Sequence, residues 1–331
     1  MTTGDTLLVT GGAGYVGSHC VAELRARGKR VVVLDNLQQG HRAAVPQDVP
    51  FVAGDLADIG LLRKLFAEHR IGGVLHFAAN SLVGESMRDP FKYVGDNVTN
   101  ALNLLRVAVD SGVRKFVLSS TANLFGQPER VPIDESVTID PGSPYGESKY
   151  IVERMLHWAD RVYGLRFACL RYFNAAGAHP DGTLGEDHDP ETHLIPIVLD
   201  AALGKRSHVE IFGDDYPTPD GTCVRDYVHV CDLADAHVRA LDLLAARSGH
   251  FNLGNGQGYS VKQVIDVARK VTGRDITVKM GARRPGDPAT LVAASARAMK
   301  ELGWTPRFAS LESIVGSAWE WRRRHPDGYG D

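Results

Sequence analysis

The chain has little of what marks several large classes of protein. Its 331 residues include four cysteines, Cys20, Cys169, Cys223 and Cys231, with no Cys-x-x-Cys pair, which removes a disulfide scaffold and a cysteine-based zinc module. Three of them sit in apolar strand or helix patterns, where a free cysteine is a small buried hydrophobe, and a reducing cytoplasm suits them. No apolar run approaches the roughly 18 residues of a membrane span. The first apolar run begins at Thr6, which leaves no room for a signal peptide. A formal charge of −3 gives no basic field for nucleic acid or an anionic membrane. Internal repeats and low-complexity tracts are also missing. These absences point to a cytoplasmic protein with a large core, in one large α/β unit or two domains, whose partner is a small molecule.

What is present is organised around Thr6 to His19. An apolar run of strand length ends in Gly11, Gly12 and Gly14, and a helical pattern begins at once, with Val16, Cys20, Val21 and Leu24 on one face. Gly12-x-Gly14-x-x-Gly17 satisfies the dinucleotide fingerprint, whose glycines permit a tight turn, close approach of backbone to a diphosphate, and close helix packing. The helix start then offers free N–H groups and the positive end of a dipole. Arg30 to Leu34 reads as a second strand ending at Asp35, close to the spacing of about 20 residues at which an acid meets the adenosine ribose. That acid would repel a 2′-phosphate, so NAD is favoured over NADP.

Strand-like runs then alternate with helical patterns: Phe51 to Ala53, Asp58 to Glu68; Gly73 to Phe77, Pro90 to Ser111; Lys115 to Ser119, Pro144 to Tyr163; Leu165 to Phe173. The alternation predicts a doubly wound parallel sheet of Rossmann type with right-handed crossovers. Ligands bind beyond the carboxyl ends of such strands, here Gly11 to Gly14, Asp35, Asp55, Phe77 to Asn80, Ser119 to Thr121 and Asn174. Asp55 and Leu56 either cap the next helix or bracket an adenine, and Asn97 reads as a solvated polar residue unless its helix borders the cofactor. After Asn174 the elements shorten, which predicts a smaller α/β substrate lobe. The expected division is 1–176 plus a return over 222–250 for the NAD unit, and 177–221 with 251–331 for the lobe. Glu186, His188, Asp189, Glu191 and His193 superficially resemble a metal cluster, but no spacing fixes a ligand geometry, so the stretch reads as a solvated acidic loop and no metal is expected.

Catalytic chemistry is suggested by Tyr145 and Lys149, one turn apart on a helix that Ser143 caps and Pro144 opens. An ammonium there would stabilise a tyrosinate and bring a phenol of pKa ~10 toward the range of a general base. Ser119-Ser120-Thr121 at a strand end supplies a hydroxyl to hold the substrate oxygen.

With these residues the chain resembles the extended short-chain dehydrogenase/reductases and, among them, the UDP-sugar 4-epimerases. Gly11, Gly14 and Gly17 match the extended glycine motif, and Thr121, Tyr145 and Lys149 the catalytic set. The block Ile211 to Val230, which contains Arg225, is similar to the epimerases' own signature. Arg171 to His179, Arg283 to Asp287 and Arg324 to Tyr329 agree with it, so the likeness runs nearly end to end.

The resemblance implies an isomerase that interconverts UDP-glucose and UDP-galactose through a transient 4-keto sugar, with NAD resident. It implies that Gly11, Gly14, Tyr15, Val16, Gly17, Asp35, Asn36, Asp55, Leu56, Phe77, Ala78, Ala79, Asn97, Ser119, Tyr145, Lys149 and Tyr172 meet the cofactor. Thr121, Asn174, His193, Leu194, Phe212, Arg225, Arg284, Asp287 and Leu291 would meet the UDP-sugar. It also implies a homodimer through the helices at 90–111 and 144–163. Four positions depart from the common pattern. His193 replaces an asparagine, Ser81 a lysine and Phe125 a tyrosine, and Leu291 is intermediate in size where side-chain bulk gates N-acetylated sugars. Ala122 and Asn123 follow Thr121 where 4,6-dehydratases carry Asp-Glu, which argues against dehydration. Other UDP-sugars (an N-acetylhexosamine, arabinose or glucuronate) and a non-catalytic NAD sensor are the alternatives.

Overall fold

A computed structural model describes residues 6–284 and 287–330. Its first half builds β1 (Thr6–Thr10), α1 (Tyr15–Ala26), β2 (Arg30–Asp35), β3 (Phe51–Ala53), α2 (Ile59–His69), β4 (Ile71–His76), the short α3 (Val83–Ser86) and α4 (Pro90–Val94), α5 (Asn100–Asp110), β5 (Lys115–Thr121), α6 (Pro144–Tyr163) and β6 (Arg166–Tyr172). The second half holds β7 (Asn174–Ala176), α7 (Leu194–Ala202), β8 (Val209–Phe212), β9 (Val224–His229), α8 (Val230–Leu243), β10 (Gly249–Leu253), β11 (Gly258–Ser260), α9 (Val261–Thr272), β12 (Val278–Gly281), β13 (Thr290–Leu291), α10 (Ala296–Leu302) and α11 (Leu311–Arg324).

The expected doubly wound α/β architecture is present. Seven parallel strands run in the order β10-β6-β5-β4-β1-β2-β3, with the order reversing beside β1. Strands such as Val31 to Leu34 are apolar throughout because both faces are covered. Val9, Val33, Val117 and Leu170 face α1 and α8 on one side, while Leu8, Val32, Phe116 and Cys169 face α2, α5 and α6 on the other. A second core lies between α7, α9 and α11 of the smaller lobe, whose β11, β9, β13 and β7 form one sheet and β8 and β12 another.

Local chemistry sets the element ends. The Asp58 carboxylate caps α2 by accepting from Leu61 N at 2.9 Å, so it is Asp58, not Asp55, that starts this helix. Ser143 accepts from Gly146 N at 3.1 Å and Pro144 opens α6, which stops at left-handed Gly164. The single helix expected over 90–111 is divided by a π turn at Gly95–Thr99, within which Asn97 is buried in line with Tyr93 and Ala101. The chain returns to the first unit twice. Residues 230–253 supply α8 and β10, and α10 with buried Trp304 joins the core beside α8, so the boundary expected at 250 falls inside a strand of the main sheet.

Candidate active site

The carboxyl ends of the strands form the floor of the site, beginning with the glycine turn. Gly11 has φ +71°, and a Cβ there would lie 2.5 Å from Ala78 N on the neighbouring strand end. A Cβ on Gly17 would stand 2.1 Å from the Gly11 carbonyl oxygen, so α1 can close on the turn only with glycine at this point. Gly14 starts α1 with no side-chain cap and no acid in the first turn, and the amides of that turn therefore suit a diphosphate. Asp35 is buried at the end of β2, where its Oδ2 accepts from Ala13 N and its Oδ1 from Leu37 N, both at 2.9 Å. Burial raises this carboxyl and the two amides pull it back. Asn36 donates to Asp55 Oδ2 at 2.8 Å, and Asp55 Oδ1 accepts from Ala57 N at 2.8 Å.

Asn97 is not solvated. Its Oδ1 accepts from Asn80 N at 2.8 Å, and its Nδ2 donates to Asn80 O and to Ser148 Oγ, each at 3.0 Å. One side chain thus ties the loop after β4, which carries Phe77, Ala78 and Ala79, to α6.

Thr121, Tyr145 and Lys149 come together at the end of β5 and the start of α6, and all three are buried. Burial pushes the Tyr145 phenol up to about 12, against the pull of a hydrogen bond with Thr121. Burial likewise pushes the Lys149 amine down to about 8, opposed by the Glu153 carboxylate. Lys149 Nζ donates to Ser119 O at 3.0 Å, and Ser119 Oγ lies 2.7 Å from the Tyr172 hydroxyl. The expected lowering of the phenol by Lys149 is therefore not a property of the polypeptide alone, because burial raises the phenol, only Thr121 opposes it, and the Lys149 amine is turned to a carbonyl.

Behind this set stands a pair that motif reasoning did not single out. Arg171 grips Glu153 in two hydrogen bonds of 3.0 and 2.5 Å, and Ser120 donates to the same carboxylate at 2.6 Å. Glu153 is one turn beyond Lys149 on α6, which was the available signal for it.

Over the floor lies the smaller lobe. Arg225 on β9 pairs with Asp287 at 2.5 Å, and the Arg284 guanidinium sits 3.9 Å from the centre of the Phe212 ring. Pro285 and Gly286 of the same stretch lie outside the described residues. Leu291 is the register partner of Arg225 and packs on Ala122, Phe125, Ile133 and Val137, the cluster that follows Thr121. Asn174 opens β7 beside Tyr227, and Leu194 opens α7 on the lobe core. His193, the N-cap of α7, pairs with Glu186 at 2.6 Å. Contrary to a solvated acidic loop, Glu186 is buried.

A Rossmann sheet whose switch point holds this glycine turn, with a buried Thr/Tyr/Lys set beside it, defines a dinucleotide-dependent enzyme of the short-chain type. The pattern of the NAD dependent epimerase/dehydratase family matches residues 7–254, and the chain belongs to that family. Among individual relatives, it is 54% identical over 325 residues to the UDP-glucose 4-epimerase of Halalkalibacterium halodurans, covering 98% of this chain and 97% of that one. It is similar to the crystal structure of UDP-glucose 4-epimerase from Brucella ovis in complex with NAD, with a TM-score of 0.93, 44% identity and coverage of 95% and 97% of the two chains. The Bifidobacterium longum UDP-glucose 4-epimerase in complex with NAD+ and UDP superposes with a TM-score of 0.93 at 38% identity, covering 98% of this chain and 99% of that one.

Proposed function

We propose that this protein interconverts UDP-glucose and UDP-galactose at C4 with NAD held throughout the cycle. The observation that carries the reading is the buried Thr121–Tyr145 pair one turn from Lys149, at strand ends shared with the glycine turn. The C4 hydrogen of a hexose is not adjacent to a carbonyl and is too weakly acidic for direct removal, so inversion requires transient oxidation. Bound NAD supplies the hydride acceptor and donor for that step. Gly11, Gly14, Tyr15, Val16 and Gly17 would hold its diphosphate, Asp35 and Asn36 the adenosine ribose, Asp55 and Leu56 the adenine, and Ser119, Tyr172 and Lys149 the nicotinamide ribose.

Tyr145 accepts the proton of the 4-hydroxyl as C4 is oxidised and returns it to O4 when C4 is reduced on its other face, while Thr121 orients O4. The 4-keto sugar turns about the diphosphate linkage, which Arg225 and Arg284 hold through charge-assisted hydrogen bonds. Asp287, Asn174, Leu194 and Phe212 line the nucleoside and sugar. Equilibration of UDP-galactose with UDP-glucose by protein that carries NAD through purification tests this reading. NAD-loaded protein inactive on UDP-galactose, UDP-N-acetylgalactosamine and UDP-arabinose alike would overturn it.

Leu291 supports acceptance of N-acetylated sugars, because it leaves more space beside the sugar than a tyrosine would. Leu291→Tyr is expected to lower activity on UDP-N-acetylgalactosamine about tenfold or more while sparing UDP-galactose; equal losses would remove Leu291 as the gate. The working form is a homodimer in the cytoplasm. Phe91 on α4 and Met155, Trp158 and Val162 on α6 stand exposed together, an apolar face that a second copy would cover. Light scattering that returns a monomer mass would refute this assembly.

A further inference from the structure

The segment joining β7 to α7 brings four side chains to one point. Glu186, His188, Glu191 and His193 each place a nitrogen or carboxylate oxygen within 4.8 Å of the others. Glu186 Oε1 is 2.6 Å from His193 Nδ1 and 3.3 Å from His188 Nδ1. Glu191 Oε2 lies 3.9 Å from His188 Nδ1, and the other oxygen of this carboxylate, Oε1, lies 3.5 Å from His193 Nδ1. A tetrahedral ion with bonds of about 2.0–2.2 Å separates its ligand atoms by about 3.3–3.6 Å, which is the scale of this cluster.

Burial and missing partners supply an independent pointer. The Glu186 and Glu191 side chains are only 7% and 5% exposed. Glu186 Oε1, His188 Nδ1 and Glu191 Oε2 are shut off from solvent with no hydrogen-bond partner, so the close approach of His193 to Glu186 is an ion contact that lies off the N–H direction. Orphaned acceptors in a buried site are costly, and one cation at their centre would satisfy them together. The surroundings hold the ligands in place. Glu191 Oε1 accepts from Thr192 N and His193 N, each at 2.8 Å, which leaves Oε2 for the centre. Arg322 donates to the Glu186 carbonyl at 3.1 Å, and the His188 ring meets Tyr15 edge-on at 6.2 Å. Among the described residues, the other group of this kind, Glu153, Cys169 and His250, differs because its carboxylate already serves Arg171 and Ser120.

We propose that Glu186, His188, Glu191 and His193 form a four-coordinate site for a divalent transition-metal ion, zinc above all. Two neutral imidazoles and two carboxylates match the ligand preference of zinc and neutralise its charge. Four protein ligands leave no open position, so the ion is structural. It fastens the loop after β7, beside Tyr15 of the glycine turn, to the first turn of α7. His193 then serves the metal, which departs from the role in substrate contact that the family resemblance implies for its position. The site does not depend on which sugar the enzyme turns over.

Untagged, NAD-loaded protein tests it. Elemental analysis, after dialysis against a weak chelator and one addition of zinc, should find one ion per chain. Cobalt in its place should give the intense visible bands of a four-coordinate ion, displaced by zinc. His188→Asn and Glu191→Gln, checked for folding by their NAD content, should bind zinc at least about tenfold more weakly. Wild-type protein that retains NAD but takes up no stoichiometric zinc and gives no four-coordinate cobalt spectrum would overturn the proposal, as would folded variants that bind as tightly as wild type. The wild-type measurements decide the matter alone if a variant does not fold.

Discussion

The floor of the site and the lobe above it hold their polar groups in opposite ways. On the floor Thr121, Tyr145 and Lys149 are buried; Lys149 is tied to Ser119 near the end of β5, and Ser120 and Arg171 on adjacent strands hold Glu153 one turn along α6. In the lobe, Arg225 on β9 and Asp287 ahead of β13 satisfy each other and are partly open to solvent, and Arg284 rests on an aromatic face. In the proposed mechanism the groups that move protons would be locked before a substrate arrives, whereas the groups that grip a diphosphate would exchange a protein partner for it. Geometry at the reacting atoms is thus built into the sheet, while recognition is assembled on binding.

The sharpest way to break this contrast is at the phenol. Tyr145→Phe should cut kcat by about 10²–10⁴ with NAD still bound, since only the proton acceptor is lost; steady-state turnover with a measured NAD content checks this, and near-normal turnover would remove Tyr145 from the mechanism. Next comes the buried pair behind it. Arg171→Met leaves the Glu153 carboxylate without its cation in a dry site and should cost about 3–5 kcal/mol in denaturant unfolding. A loss below about 1 kcal/mol would show that the floor is held otherwise.

In the lobe, Arg225→Met should act mainly on substrate binding, raising KM on the order of 10–100-fold with a smaller change in kcat, the worth of a charge-assisted contact. An equal fall in kcat would place Arg225 on the reacting atoms and erase the distinction. The smallest effect is a pH slope. Lys149 is held near 8 when folded and returns toward 10.4 when unfolded, so between these values the unfolded chain binds the extra proton and stability rises with pH. From pH 8 to 9, wild type should gain about 1 kcal/mol relative to Lys149→Met in denaturant unfolding; parallel pH curves would show that burial does not control this amine.

Much of this was legible because period and punctuation survive in a single chain. Alternating runs reported the parallel sheet, and Gly11, Gly14 and Gly17 reported a turn in which a Cβ at Gly11 or Gly17 would collide with backbone. Asn97 reads as solvated unless its helix borders the cofactor, and the structure buries it against Asn80 and Ser148, partners on a loop and on another helix that sequence spacing does not reveal. The burial of Glu186 was equally hidden, because a run of Gly, Asp, His and Pro looks hydrophilic whatever packs on it; Arg322, which holds its backbone, lies far along the chain on α11. Arg171 and Glu153 escaped notice singly because their pairing joins a strand to a helix.

The return of the chain to its first unit has a consequence for how the protein is made. Everything up to Ala176 can leave the ribosome before β10 exists to cover the edge of β6, and before α8 exists to cover α1. During that interval an open strand edge and an apolar helix face are both available to other chains. A truncation after residue 176 therefore produces an aggregation-prone fragment and not a separable nucleotide-binding module, and synthesis must run through the lobe before the nascent sheet can close.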